Sequence, residues 1–537
     1  MGWNFGDMLD GIEAAMPPEA PALIHGERRI TWGEFAQRSN RLASALRSRG
    51  MGPGDKLAFY LRNRSEYLVG LSACFKARLV HVNVNYRYLA DELRGVLDES
   101  DARCVLFDSE FAESVEALAP RLPKVEHWIE VGGRRAGSAE PLDAVYREGV
   151  AVPLGIERAG DDLLFVYTGG TTGRPKGVMW RMEDLWRALG SGGTLQANAG
   201  GIPASVAELV ENVGRFGPGP VQVPACPLMH GSGLLTSILN LVAGGCTVTL
   251  TRPQFQPEEL FVAIERHRVD SVVIVGDPFA VPMLKALDAN PGRWDLRSLK
   301  IIISSGAMWS EPVKRGLLRH HARMALADLY GSSEALGIGA SVTSSAGGAA
   351  TARFAIGQDC AVFNEEHRPV VPGSGERGFI ACRGPIPLGY YKDPEKTAET
   401  FPCIDGVRYV VPGDWCTVES DGSLTLLGRG SLCINTGGEK VYPEEVEESL
   451  KRHPDVEDAL VFGLPDEAWG QVVTAMVSLR AGARFDEAAL RRHVGVELAR
   501  FKVPKRILAA DRSLRAPNGK ADYARAGLQA RQMLGLA

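Results

Sequence analysis

The sequence predicts an α/β protein: a large N-terminal domain of two α/β sheet subdomains plus a β-rich subdomain, then a small α+β domain at the C-terminus. Three observations predict it. At 537 residues the chain is too long for one hydrophobic core. Apolar runs of strand length alternate with segments of helical period through the first 300 residues. After about Phe354 the pieces become short, extended and broken by Gly and Pro, and a further unit begins near Gly428.

Thr31-Trp-Gly-Glu34 is a capping box, and Phe35, Leu42 and Leu46 follow near helical spacing until Gly50. Residues 57–61 then read as a strand, 66–77 as a helix, 79–84 as extended, 90–100 as a helix and 104–107 as extended. The same alternation returns with helices at 257–267 and 278–289 and strands at 271–275 and 300–304. Strands separated by helices of this length imply parallel sheets covered on both faces. Residues 377–382 and 423–427 belong to an antiparallel subdomain. The last unit reads as a hairpin, a helix at 443–451, strands at 456–463 and 474–479, a helix at 487–498 and a strand near 506–509. The Ser/Ala/Gly run at 341–351 reads as a mobile loop.

Hydrophobic content of 45% with 23% charged residues is ordinary for a globular protein, and the formal net charge of -5 argues against broad binding to nucleic acid or anionic membrane. Nine cysteines without a Cys-x-x-Cys pair suggest free thiols in a reducing cytoplasm. No signal-peptide pattern or membrane-length apolar run is present, and Asp7 departs from a myristoylation signal.

The densest chemistry lies in Tyr167-Thr-Gly-Gly-Thr-Thr-Gly-Arg-Pro-Lys-Gly177, which leaves a strand at 163–166. Gly169, Gly170 and Gly173 expose backbone N–H groups, Thr168, Thr171 and Thr172 add hydroxyls, and Arg174 and Lys176 add positive charge. Donors and cations crowded into one loop at a sheet edge suit a polyphosphate better than a plain solvated turn. It is not a Walker loop, because Gly-Lys-Ser/Thr is missing and Pro175 would interrupt the helix such a loop requires.

This segment resembles the phosphate loop of the adenylate-forming superfamily, which includes acyl-CoA synthetases, luciferases and peptide-synthetase adenylation domains. Gly169 stands where the family more often has Ser, which removes one hydroxyl donor. The resemblance runs from about Ile30 to Tyr523. It implies domains at 1–428 and 433–537 joined by a hinge at 429–432, with the C-terminal domain mobile.

Further segments carry the same likeness. Tyr330-Gly331-Ser332-Ser333-Glu334 resembles the motif whose Tyr stacks on adenine and whose Glu binds Mg²⁺. Gly331 permits a sharp turn there, and Ser333 replaces the commoner Thr. Gly306 and Ala307 fall in the segment that borders adenine and the acyl group. Asp414 matches the carboxylate that accepts both ribose hydroxyls, and Arg429 the arginine reaching ribose and phosphate, where an interdomain salt bridge is a compatible alternative. Lys520 resembles the catalytic lysine that bridges substrate carboxylate and α-phosphate by electrostatic stabilisation. Gly437 and Gly438 match the loop lining the CoA tunnel, and Leu432 stands where the family usually has a polar hinge residue. His230 either gates the acyl pocket or is simply a packed histidine.

The resemblance implies a two-step ligase in which a carboxylate attacks ATP to give acyl-AMP, and CoA then displaces AMP. Residues 177–184 and 428–446 look closest to fatty-acid-type synthetases, within them the actinobacterial branch taking bulky steroid side-chain or terpenoid-like acids. The implied partners are a hydrophobic carboxylic acid, ATP with Mg²⁺, and CoA, with no nucleic acid; a homodimer stays open. Three alternatives also stay open: delivery of the acyl group to a separate carrier protein, a non-catalytic nucleotide-binding module, and a luciferase-like oxygenase.

Overall fold

The computed structural model describes residues 2–88, 90–133, 137–168, 175–190, 202–348, 351–429, 432, 434–436, 439–466, 470–498, 500–516 and 521–536. The chain divides into two compact units, Met1–Thr351 with Cys382–Val410, and Ala352–Ala381 with Val411–Ala537.

The first unit is α/β, with helices on sheets that are parallel at their centres. One sheet places strands Lys56–Tyr60, Val80–Asn83, Ala102–Asp108, His127–Val131 and Leu163–Thr168 in parallel pairings, and is extended at one edge by Lys176–Arg181 and Gly389–Tyr390 running antiparallel. The other orders Gly339–Thr343, Ala325–Tyr330, Ile301–Ser305, Ser271–Ile274, Val221–Pro224, Cys246–Thr249, Pro21–His25 and Arg28–Thr31, again parallel except at its two ends.

Central strands such as Ser271–Ile274 and Val80–Asn83 are buried at every residue, as strands covered on both faces must be. Fully burying each Val or Ile is worth about 1.5–3 kcal/mol. Helix Trp32–Ser48 starts as the sequence predicts. Thr31 Oγ1 accepts from Glu34 N–H, and Glu34 Oε2 accepts from Thr31 N–H. The alternation predicted at 57–107 and 257–304 is found within a residue or two at each boundary. The expected loop at 341–351 begins later, because residues 341–343 complete strand Gly339–Thr343, in register on Ala325–Tyr330. Helix Phe5–Ala15 and the hairpin Pro21–His25/Arg28–Thr31 precede the first predicted element.

The second unit contains an antiparallel sheet ordered Cys360–Phe363, Arg377–Cys382, Asp414–Val418, Leu424–Arg429 and Arg353–Ile356. A second sheet has hairpin Ile434–Thr436/Glu439–Val441 and the long pair Val456–Asp466/Gly470–Leu479, onto which Arg506–Ala509 pairs in parallel. Helix Pro443–Lys451 has proline in its first turn and buries Val446 and Leu450 against Val461, Val473 and Val477.

Cysteines 74, 104, 226, 246, 403 and 416 are free, whereas Cys360 and Cys382 are disulfide-bonded, which corrects the reading of all nine as thiols. Among the described residues no helix is long and apolar enough to cross a membrane.

Candidate active site

Strands Leu163–Thr168 and Lys176–Arg181 form a hairpin in which Thr168 lies directly opposite Lys176. The predicted ligands Gly169, Gly170, Thr171, Thr172 and Gly173 fall in the turn between them, outside the described residues. The root of the hairpin is fixed by Asn83, which is nearly buried. Its Oδ1 accepts from Tyr167 N–H at 2.7 Å, while its Nδ2 donates to Tyr167 O at 2.9 Å and Met229 O at 2.7 Å. One amide therefore ties the phosphate hairpin to the segment carrying His230.

His230 is the residue preceding helix Gly231–Val242. In that helix Ser232 Oγ lies 2.6 Å from Ser305 Oγ, joining it to the segment of Gly306 and Ala307. Gly306 has φ of +86°, a left-handed conformation that a side chain would strain. The structure thus brings the segment of His230 beside that of Gly306 and Ala307.

Strand Ala325–Tyr330 delivers Tyr330 to the same end of the sheet. Buried Lys314 holds Asp328 on this strand at 3.0 Å, although burial still raises the Asp328 pKa above the ordinary carboxylate value. Gly331 does not take positive φ; an added Cβ would lie 3.0 Å from Ala335 O, so close approach rather than handedness requires glycine there. Ser332 closes the turn, its N–H donating to Ala335 O and its Oγ accepting from the N–H groups of Glu334 and Ala335. Ser333 O accepts from Trp180 Nε1–H at 2.9 Å, and Glu334 Oε1 accepts from Tyr390 O–H at 2.9 Å.

Lys176 Nζ is paired with the carboxylate of Asp393 and stands 5.7 Å from the centre of the Tyr390 ring. The hydrogen bond from Lys176 is the largest influence holding the Asp393 carboxyl below its usual pKa. Asp393 Oδ1 also caps helix Pro394–Thr400 by accepting from Lys396 N–H.

The donor set suits Mg²⁺ brought in on a triphosphate. Among the described residues Glu334 Oε2 accepts no hydrogen bond and Glu334 forms no ion pair, so one hard oxygen is left over. No group of three or more His, Cys, Asp or Glu is placed to hold a metal among those residues, and Mg²⁺ ordinarily takes one or two carboxylates plus phosphate oxygens and water.

In the second unit Asp414, 7% exposed, is the register partner of Arg429 across adjacent strands. The Arg429 side chain, Gly437, Gly438 and Lys520 lie outside what is described.

The profile of the AMP-binding enzyme family matches residues 12–391, and that of the AMP-binding enzyme C-terminal domain matches 445–520. The chain belongs to the AMP-binding enzyme family. It is 40% identical over 534 residues, covering 97% of this chain and 96% of the relative, to a medium/long-chain-fatty-acid–CoA/3-oxocholest-4-en-26-oate–CoA ligase of Mycolicibacterium smegmatis. To the 3-oxocholest-4-en-26-oate–CoA ligase of Rhodococcus rhodochrous it is 38% identical over 541 residues, 97% and 95% of the two chains. Its fold matches ATP-bound MatB from Rhodopseudomonas palustris with a TM-score of 0.82 at 24% identity, covering 99% and 100% of the chains. In this AMP-binding family member, Asn83, Trp180, Tyr390 and Asp393 are the side chains around the site that sequence reasoning missed. The one signal for the last two was Gly389-Tyr-Tyr-Lys-Asp393, which is rich in aromatic and charged residues for a turn.

Proposed function

We propose that this chain activates a hydrophobic carboxylic acid with ATP and passes the acyl group to CoA. It is an AMP-forming acyl-CoA ligase. The observation that carries this reading is the convergence of the phosphate hairpin, the Gly306 segment and the Glu334 turn at one end of the first unit, through the contacts of Asn83, Ser232, Trp180 and Tyr390.

In the first step an oxygen of the substrate carboxylate bonds to the α-phosphorus, the bond to pyrophosphate breaks, and acyl-AMP remains. Positioning and charge neutralisation dominate such transfers. Lys176 meets the outgoing phosphates from the end of its strand, and Lys520 spans carboxylate and α-phosphate. Glu334 would hold Mg²⁺, which supplies further neutralisation of the triphosphate. Tyr330 stacks on adenine, while Asp414 and Arg429 take the ribose. Residues 433–537 then turn about 429–432, withdrawing Lys520 and presenting Gly437 and Gly438 to the pantetheine chain. The CoA thiol sulfur bonds to the acyl carbon, its proton is lost, and AMP leaves.

We further propose a medium- to long-chain fatty acid or a steroid side-chain acid as substrate. The names of the bacterial relatives support it.

The test is pyrophosphate release with fatty, aromatic, steroid and diterpenoid acids, with CoA present and the thioester identified. Wild-type protein should release pyrophosphate only with an apolar acid, and Lys520→Ala should slow this by about 10²–10³-fold. Unchanged release in that variant would overturn the catalytic assignment.

A further inference from the structure

Strand Gly389–Tyr390 is two residues long, yet its place is fixed from several sides. Tyr390 pairs in register with Val178. On either side, Leu388 N–H donates to Met179 O at 2.9 Å and Tyr391 N–H to Gly177 O at 2.8 Å. Tyr390 N–H donates to Thr397 Oγ1, and its nearly buried ring meets Phe401 edge-on at 6.0 Å. From this anchored position one side chain touches both charged groups that the proposed function assigns to the triphosphate. The hydroxyl donates to Glu334 Oε1 at 2.9 Å, and the ring lies 5.7 Å from Lys176 Nζ.

Neither contact itself cancels the charge it touches, and the half-exposed Asp393 carboxylate is the partner that Lys176 would exchange for a phosphate. A phenol O–H orients a carboxylate without cancelling its negative charge, as an arginine or lysine would, so the second oxygen keeps its attraction for a cation. A ring face attracts an ammonium weakly and likewise leaves it able to bind phosphate. A Glu side chain left to itself samples many rotamers, and freezing it beforehand removes that cost from binding.

We propose that Tyr390 is a positioning residue for the metal-bound triphosphate, its hydroxyl aiming Glu334 and its ring supporting Lys176. This rests on the reading that Glu334 and Lys176 serve the triphosphate. The two functions of the side chain separate by substitution: Tyr390→Phe removes the hydroxyl alone, and Tyr390→Leu removes the ring face as well.

Calorimetric binding of ATP with and without Mg²⁺, on the full chain, reads this without turnover. In Tyr390→Phe metal-free ATP should bind as in wild type, which also shows that the variant is folded. The tightening of ATP binding by saturating Mg²⁺ should shrink by about tenfold, the scale of one lost hydrogen bond to a charged acceptor. Tyr390→Leu should in addition weaken metal-free ATP by several-fold. Glu334→Gln should lose the Mg²⁺ effect, and adding Tyr390→Phe to it should change nothing more. Full Mg²⁺ tightening in Tyr390→Phe alongside its loss in Glu334→Gln would overturn the role of Tyr390 and leave the site reading intact. Full tightening in Glu334→Gln would overturn both.

Discussion

Lys76 and Lys176 sit in the same compact unit, and each is held by a carboxylate, yet the two pairs are built for different work. The Lys76 side chain is 1% exposed and donates to Glu13 Oε2, Ser39 Oγ and Asn40 Oδ1, with Asp10 a further 3.3 Å away. All three ammonium hydrogens are taken by protein. Beside it, Arg158 binds Asp7 and Asp10 and donates from Nε to Lys76 O. Lys176 is 34% exposed, with Asp393 as its carboxylate partner and an aromatic face nearby. The partners respond oppositely: burial raises the pKa of Glu13, whereas Lys176 lowers that of Asp393. A dry pair whose ammonium donors are all taken belongs to the scaffold. A wet pair with spare donors can exchange its carboxylate for a phosphate.

The largest effect expected from this contrast is on stability. Lys76→Met would leave Asp10 and Glu13 facing an apolar side chain, and breaking a buried pair in this way costs about 3–5 kcal/mol. Urea unfolding should show it, while the fraction that remains folded keeps its KM for ATP. A loss under about 1 kcal/mol would mean that the cluster is not structural.

Lys176→Ala should behave in the reverse sense. Removing one positioned cation from a developing phosphate charge is expected to slow acid-dependent pyrophosphate release by about 10²–10³-fold. Its unfolding free energy should change by no more than about 0.5 kcal/mol, as for exposed pairs. A variant that lost stability instead of rate would erase the distinction between the two lysines.

This contrast also marks what could be read in the chain beforehand. The phosphate hairpin was legible because its chemistry is packed into eleven consecutive residues, and the strand–helix alternation because hydrophobic period is local. The contacts that organise the site are not local: Asp393 reaches Lys176 across 217 positions, Trp180 reaches Ser333 across 153, and Tyr390 reaches Glu334 across 56. No window of sequence contains such pairs. Helix Phe5–Ala15 did carry a signal, since Phe5, Met8, Leu9 and Ile12 repeat at helical spacing and are buried. Its polar side misleads, because Asp7, Asp10 and Glu13 look like a solvated stripe yet face Arg158 and Lys76.

Glu13 offers the finest discrimination. Burial raises its pKa from 4.5 to about 7, against the opposing pull of Lys76 and Arg158 and with a smaller push from Asp10. In the unfolded chain the carboxyl ionises near the lower value. Between the two, the folded protein holds a proton that the unfolded chain has released, so raising the pH favours unfolding. The favourable contribution is complete below about pH 4.5 and gone once the pH has passed about 7. Glu13→Gln has no such proton. Urea midpoints of both proteins at matched ionic strength should therefore show wild type losing stability relative to the variant across this window, by at most about 1.4 kcal/mol per pH unit. A flat difference would mean that Lys76 keeps Glu13 ionised throughout, and that the buried pair resembles Lys176 and Asp393 more than its burial implies.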